Sequence, residues 1–210
     1  QSDVEAVRWY RAGAEAGHSS AMFNLGWMYA NGSGVEQSDI EAVRWYRASA
    51  EANNAGGMLR LGWMYANGRG VEQSDVEAVR WYRAGAEARN ANAMFHLGWM
   101  YANGRGVEQS DVEAVRWYRA SAEAGDATAM FSLGWMYASG RGVEQSDVEA
   151  VRWYRAGAEA GHADAMFRLG VMYDHGRGVE QSDVEAVRWY RAGAEAGDAD
   201  AMVSLGWMYV

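Results

Sequence analysis

A block of 36 residues recurs six times along this 210-residue chain. It reads QSDVEAVRWYRAGAEAG at Gln1 and returns, little changed, at Gln37, Gln73, Gln109, Gln145 and Gln181; the last copy breaks off at Val210. A unit of that size lies below the ~40 residues at which a domain usually holds a core alone. Each copy must bury its apolar face on its neighbours, and so the copies fold together. The expected organisation is a single all-α array over 1–210, with repeats at 1–36, 37–72, 73–108, 109–144, 145–180 and a truncated 181–210.

Composition narrows the function. Half of the residues are hydrophobic, with 11 Trp and 12 Tyr, too apolar and aromatic for a disordered chain. Cysteine is absent, which excludes disulfides, thiolate metal sites and thiol nucleophiles and leaves the compartment open, cytoplasmic, periplasmic or secreted. No run approaches the ~18 apolar residues of a membrane helix. No initiator Met or basic-then-apolar leader precedes Gln1, so the chain reads as a mature segment or a trimmed piece. The net charge is −9, and all 19 basic residues are Arg. An acidic surface argues against non-specific nucleic-acid or anionic-membrane binding.

The copy at 73–108 shows how each unit is built. Ser74 and Glu77 form a capping box, which starts a first helix, helix A. Val76, Val79, Tyr82 and Ala86 share one face, extended by Ala78 and Gly85. Glu77, Arg80, Ala84 and Glu87 lie opposite, with Trp81 on the flank. Helix A ends at Gly17, Gly125, Gly161 or Gly197, a left-handed stop. Asn53 suits that role; Arg89 suits it poorly, and strain is expected there. Three residues on, Ser20, Gly56, Asn92, Thr128, Asp164 and Asp200 are all favoured N-caps, so a second helix, helix B, is expected to start there. Its sequence, AMFHLGWMYAN from Ala93, is apolar nearly all round. Only the stripe through His96, Trp99 and Asn103 is expected to meet solvent. Gly98 and its equivalents sit mid-helix, where another helix is expected to approach too closely for a Cβ. Gly104 and Gly106 end the unit in a tight loop, pinned by Val107.

The pattern carried in the fifth copy by Ala150, Trp153, Tyr154, Arg155, Ala158, Glu159, Gly161, Ala165, Met166, Leu169, Gly170, Met172, Tyr173, Gly176, Gly178 and Val179 resembles the Sel-1-like repeat family, an αα-solenoid relative of the tetratricopeptide repeats. The resemblance covers the whole chain. It implies a right-handed superhelix of antiparallel helix pairs with helix A on the concave surface, and an adaptor role in protein complexes. It carries no shared catalytic residues and no cofactor. Some bacterial members have one disulfide per repeat, a subgroup that the lack of cysteine excludes.

Three sets of residues are candidates for partner binding. The first is the two Arg series of helix A: Arg44, Arg80, Arg116 and Arg152, and Arg47, Arg83, Arg119 and Arg155. They could track an acidic peptide or phosphates. Intrahelical pairing, Glu77 with Arg80 and Arg83 with Glu87, is favoured because acids match them almost one for one. The second is the series Trp9, Trp45, Trp81, Trp117, Trp153 and Trp189, read as inter-repeat packing before a ligand wall. The third is Trp27, Trp63, Trp99, Trp135 and Trp207, interrupted by Val171. It shares a helix face with the divergent position Asn24, Arg60, His96, Ser132, Arg168 and Ser204, which makes it the better candidate for a contact patch.

Other motifs carry less. His162 with Asp164, or Asp174 with His175, lack a third metal ligand. The Asn-Gly-Arg-Gly loops lack the Lys-Ser/Thr ending of a phosphate loop and read as turns. Asn31-Gly32-Ser33 is a lone glycosylation sequon. No nucleophile has a base and an orienting partner, so no enzyme is expected. The expected function is a protein or peptide scaffold whose concave face, built by helix A, holds a peptide or a partner helix. Alternatives are an array that stacks head to tail through uncapped ends, and a consensus-like repeat with no specific partner.

Overall fold

The computed structural model describes residues 2–210; Gln1, which opens the first copy, lies outside the described residues. Twelve helices and no strand occur among the described residues. Helix A of successive copies is α1 (Ser2–Glu15), α3 (Asp39–Glu51), α5 (Asp75–Glu87), α7 (Asp111–Glu123), α9 (Asp147–Glu159) and α11 (Asp183–Glu195). Helix B is α2 (Ser19–Asn31), α4 (Ala55–Asn67), α6 (Ala91–Asn103), α8 (Ala127–Ser139), α10 (Ala163–Asp174) and α12 (Ala199–Trp207).

The helices form two compact units. In residues 1–109, each of α1–α5 packs on the helix that follows it; in residues 110–210, each of α7–α11 does the same. Short loops make successive helices antiparallel. Within each unit, helix B packs more extensively on helix A of the following copy than on its own.

The helix ends follow from local chemistry. Ser38, Ser74, Ser110, Ser146 and Ser182 cap helix A by accepting from the amide three residues on. Only half of the expected capping box forms. The Ser74 amide donates to the Tyr65 carbonyl of the preceding helix B, 3.0 Å away, and the Glu77 carboxylate turns to Arg80 instead. The expected cap of helix B is also corrected. Asn54, Asn90, Asp126, His162 and Asp198, two residues before the positions read from sequence, accept from the amide three residues on. His18 holds the same place without a side-chain cap bond. The chain leaves the left-handed residue straight into the cap, so Asn92, Thr128 and Asp164 already lie in the first turn.

That left-handed residue is Gly in four copies, but Asn53 has φ 61° and Arg89 φ 62°. The strain expected at Arg89 is therefore present. Arg89→Gly is expected to raise stability by about 1 kcal/mol, a rise of roughly 2–4 °C in Tm. Asn53→Gly should gain less, because Asn tolerates this region.

Each core is built from one copy's helix pair. Ala42, Val43, Tyr46, Ala50, Met58, Leu61 and Met64 form one cluster, against which Val71 of the loop and Trp81 of the next helix A pack. Trp45 and Trp189 likewise pack on the preceding copy's core, so these three Trp residues serve inter-repeat packing within their units. Trp9 is 66% exposed. One part of the expected core is corrected. Val76 is 64% exposed, and Val4, Ile40, Val112, Val148 and Val184 are exposed with it. They sit at the second helical residue of their helices in the five later copies.

The mid-helix glycines receive a tyrosine ring of another helix. A Cβ at Gly26, Gly62, Gly134 or Gly170 would lie 2.6–2.8 Å from the ring of Tyr46, Tyr82, Tyr154 or Tyr190 on the following helix A. These tyrosines are 2% exposed. Within each unit, these helices B thus offer a notch that the following helix A fills.

Candidate functional site

The helix-A arginines are engaged within their own copies. Arg44, Arg80, Arg116, Arg152 and Arg188 lie 3.3–3.4 Å from the carboxylates of Glu41, Glu77, Glu113, Glu149 and Glu185. Their guanidiniums also sit 5.2–5.3 Å from the ring of the following Trp. The second series departs from expectation. Arg47, Arg83, Arg119 and Arg155 donate to the hydroxyls of Tyr65, Tyr101, Tyr137 and Tyr173 on their own helix B, 2.6–2.8 Å away. The Arg83–Glu87 pair does not form among the described residues, because helix B brings a hydroxyl into closer reach. Arg44 and Arg47 line a shallow cavity of about 290 Å³ with Ile40, Val43 and Glu51.

A third arginine series was not singled out in the sequence. Arg69, Arg105, Arg141 and Arg177 of the loops each grip Asp39, Asp75, Asp111 or Asp147 at the start of their own helix A through two bonds of 2.6–3.2 Å. Such fork-to-carboxylate pairs are strongly directional. The same guanidiniums lie 5.1–5.4 Å from the rings of Trp63, Trp99 and Trp135. The missed signal was a fixed spacing of 30 residues between Asp and Arg, broken only in the first copy, where Ser33 replaces Arg. Ser33→Arg is expected to supply Asp3 and Trp27 with the missing partner. The gain should be at most ~1 kcal/mol, read as a rise in the urea midpoint.

The helix-B stripe opens into clefts. Trp63, Tyr82, Phe95, His96, Trp99 and Arg105, with Asn67, line a cavity of about 280 Å³. His96 stacks on Tyr82 with centroids 5.0 Å apart and 14° between planes. One copy earlier, Trp27, Tyr46, Arg60, Trp63 and Arg69, with Asn31, line an equivalent cavity of about 140 Å³. Trp63 is shared by both. Trp27, Trp99 and Trp135 remain 37–43% exposed. In the second unit Arg168 is exposed and lies 5.4 Å from the Phe167 ring. The structure therefore brings Trp63, His96 and Trp99 into one site and Arg60 and Trp63 into its neighbour, while the helix-A arginines stand apart.

The residue pairs weighed as metal ligands have other roles. His162 caps α10 and stacks on Phe131, 4.9 Å away. Asp174 accepts from the Tyr190 hydroxyl at 3.1 Å. No group of three or more His, Asp or Glu among the described residues could hold a metal ion, and no helix among them is long and apolar enough to cross a membrane.

A family model for the Sel1 repeat matches residues 1–18, 19–54, 55–90, 91–126, 127–162 and 163–198. The chain belongs to the Sel1 repeat family. The matched units start at helix B, half a repeat out of phase with the blocks counted from Gln1. Segments 19–54, 55–90, 127–162 and 163–198 each hold a helix B and the following helix A, the pairs that pack most extensively. Among solved structures, the chain is similar to a protective antigen of uropathogenic Escherichia coli strains that displays an SLR fold. The two share 35% identity and a TM-score of 0.92, over 96% of this chain but only 43% of the antigen. It is also similar to a Sel1 repeat protein from Oxalobacter formigenes, with 31% identity, a TM-score of 0.85, and coverage of 98% and 88%. An immunity protein from Pseudomonas aeruginosa, at 21% identity and a TM-score of 0.58 over 93% of this chain and 75% of that one, shares the fold alone. A comparison with curated proteins gives no match.

Proposed function

We propose that this Sel1 repeat chain is a non-catalytic scaffold that binds protein segments on its helix-B face. The observation that carries this reading is the 280 Å³ cleft between Trp63 and Trp99. Aromatic walls with a few polar groups at the rim suit a protruding side chain of a partner. The helix-A arginines support the reading by contrast, since each already pairs with an acid or hydroxyl of its own copy.

The test compares faces. Trp63→Ala with Trp99→Ala on the helix-B face, and Arg80→Ala with Arg83→Ala on the helix-A face, are each used as bait in affinity capture with mass spectrometry. Loss of the captured set only in the Trp variant is the expected result. Loss only in the Arg variant would move the binding surface to helix A.

A further inference from the structure

We infer that the paired clefts of the first unit read a linear peptide that carries a large apolar side chain and, about three residues away, a carboxylate. This rests on the helix-B binding reading and names the ligand for it. The two clefts are the same site one repeat apart. Trp27, Ala30, Asn31, Tyr46, Trp63, Met64 and Arg69 of one become Trp63, Ala66, Asn67, Tyr82, Trp99, Met100 and Arg105 of the other. The divergent position sets them apart. Where it is His96, the ring lies flat on Tyr82 and the cavity is about 280 Å³. Where it is Arg60, the longer side chain lines a cavity of about 140 Å³. The first is a roomier aromatic slot, the second a narrower one with a cation in its wall.

Charge complementarity names the second anchor. Arg60 is exposed and makes no hydrogen bond or ion pair among the described residues; its charge acts on the buried Tyr46 phenol. Helices α2, α4 and α6, which build this face, contain no Asp or Glu. The nearby carboxylates of Asp39 and Asp75 are held by Arg69 and Arg105. Within a chain of net charge −9, Arg60 is thus a cation without an acid, on the wall of a groove, and a peptide carboxylate supplies what the fold does not. The spacing follows from packing. α4 and α6 touch, so their axes lie roughly 8–10 Å apart, a distance that extended chain spans in about three residues.

The experiment is selection of a random heptapeptide phage library on the intact chain, followed by affinity measurement of enriched peptides. Peptides pairing Trp, Phe or Leu with Asp or Glu two to four residues away are expected. Arg60→Ser, a residue that Ser132 and Ser204 already place in this fold, should keep the apolar preference, erase the acidic one and weaken such peptides about tenfold. His96→Arg should erase the large apolar preference. Enriched peptides that lack an acid, or that Arg60→Ser leaves unaffected, overturn the inference; if Trp99→Ala still abolishes them, the helix-B scaffold reading stands. Absence of any enriched peptide overturns both.

Discussion

Between pH 10 and 12 the protein is expected to unfold cooperatively, and tyrosine alone should drive it. The chain has no Cys, and all its basic residues other than His are Arg, so few other side chains titrate in that window. Burial pushes the Tyr118 and Tyr154 phenols up to about 12. Burial also raises Tyr46 and Tyr82, and Tyr190 is raised by burial and by the Asp174 charge beside it. In the unfolded chain a tyrosine loses its proton near pH 10. Above that pH the folded state holds more protons than the unfolded state, so stability falls as pH rises. For Tyr118 and Tyr154 the full effect is roughly 3 kcal/mol each. Together they approach the ~5–15 kcal/mol that holds a typical domain folded. The check is phenolate absorbance near 295 nm recorded with helical circular dichroism. A steep absorbance step should coincide with loss of helix. Complete tyrosine ionisation with helix intact at pH 12 would refute the account.

The second large effect is a reversal of helix propensity. Alanine normally stabilises a helix over glycine by ~0.5–1 kcal/mol. At Gly62 and Gly170 it should instead cost about 1–3 kcal/mol, since the new methyl meets the rings of Tyr82 and Tyr190 at 2.6–2.8 Å. Those rings are 2% exposed and have nowhere to retreat. Gly206 occupies the same repeat position with nothing within 4 Å of the new Cβ, so Gly206→Ala should be neutral or stabilise by no more than ~1 kcal/mol. Thermal melts of the three variants give the comparison: Tm should fall by roughly 3–10 °C in the first two and hold or rise in the third. Equal behaviour of all three would remove the notch as the element that seats one copy on the next.

Much of this was legible along the chain. Serine ahead of helix A in the five later copies and a left-handed residue behind it are local signals, and they placed those helices. Two neighbouring positions of capping type, such as Asp126 and Thr128, compete for the start of helix B. The preceding left-handed turn decides between them, and that is a backbone geometry rather than a residue preference. Pairing rules for a single helix assigned Arg83 to Glu87. The hydroxyl of Tyr101, 18 residues away, wins because helix B returns alongside. The Arg–Asp forks span 30 residues and escaped the same local rule. For the candidate site, the stripe of Trp63, His96 and Trp99 was visible as a helical face. The cleft was not, since its far wall, Tyr82, comes from another helix.

The repeat length, the helix pairs, the absence of thiol chemistry and the divergent position among six copies all followed from the order of residues, because each depends on spacing within about one copy. The third dimension decided which arginines are already paired, which tyrosines are sealed from water and which glycines are notches. Those properties depend on the neighbour that each helix meets, and a chain of near-identical copies gives every copy the same local signals whatever neighbour it has.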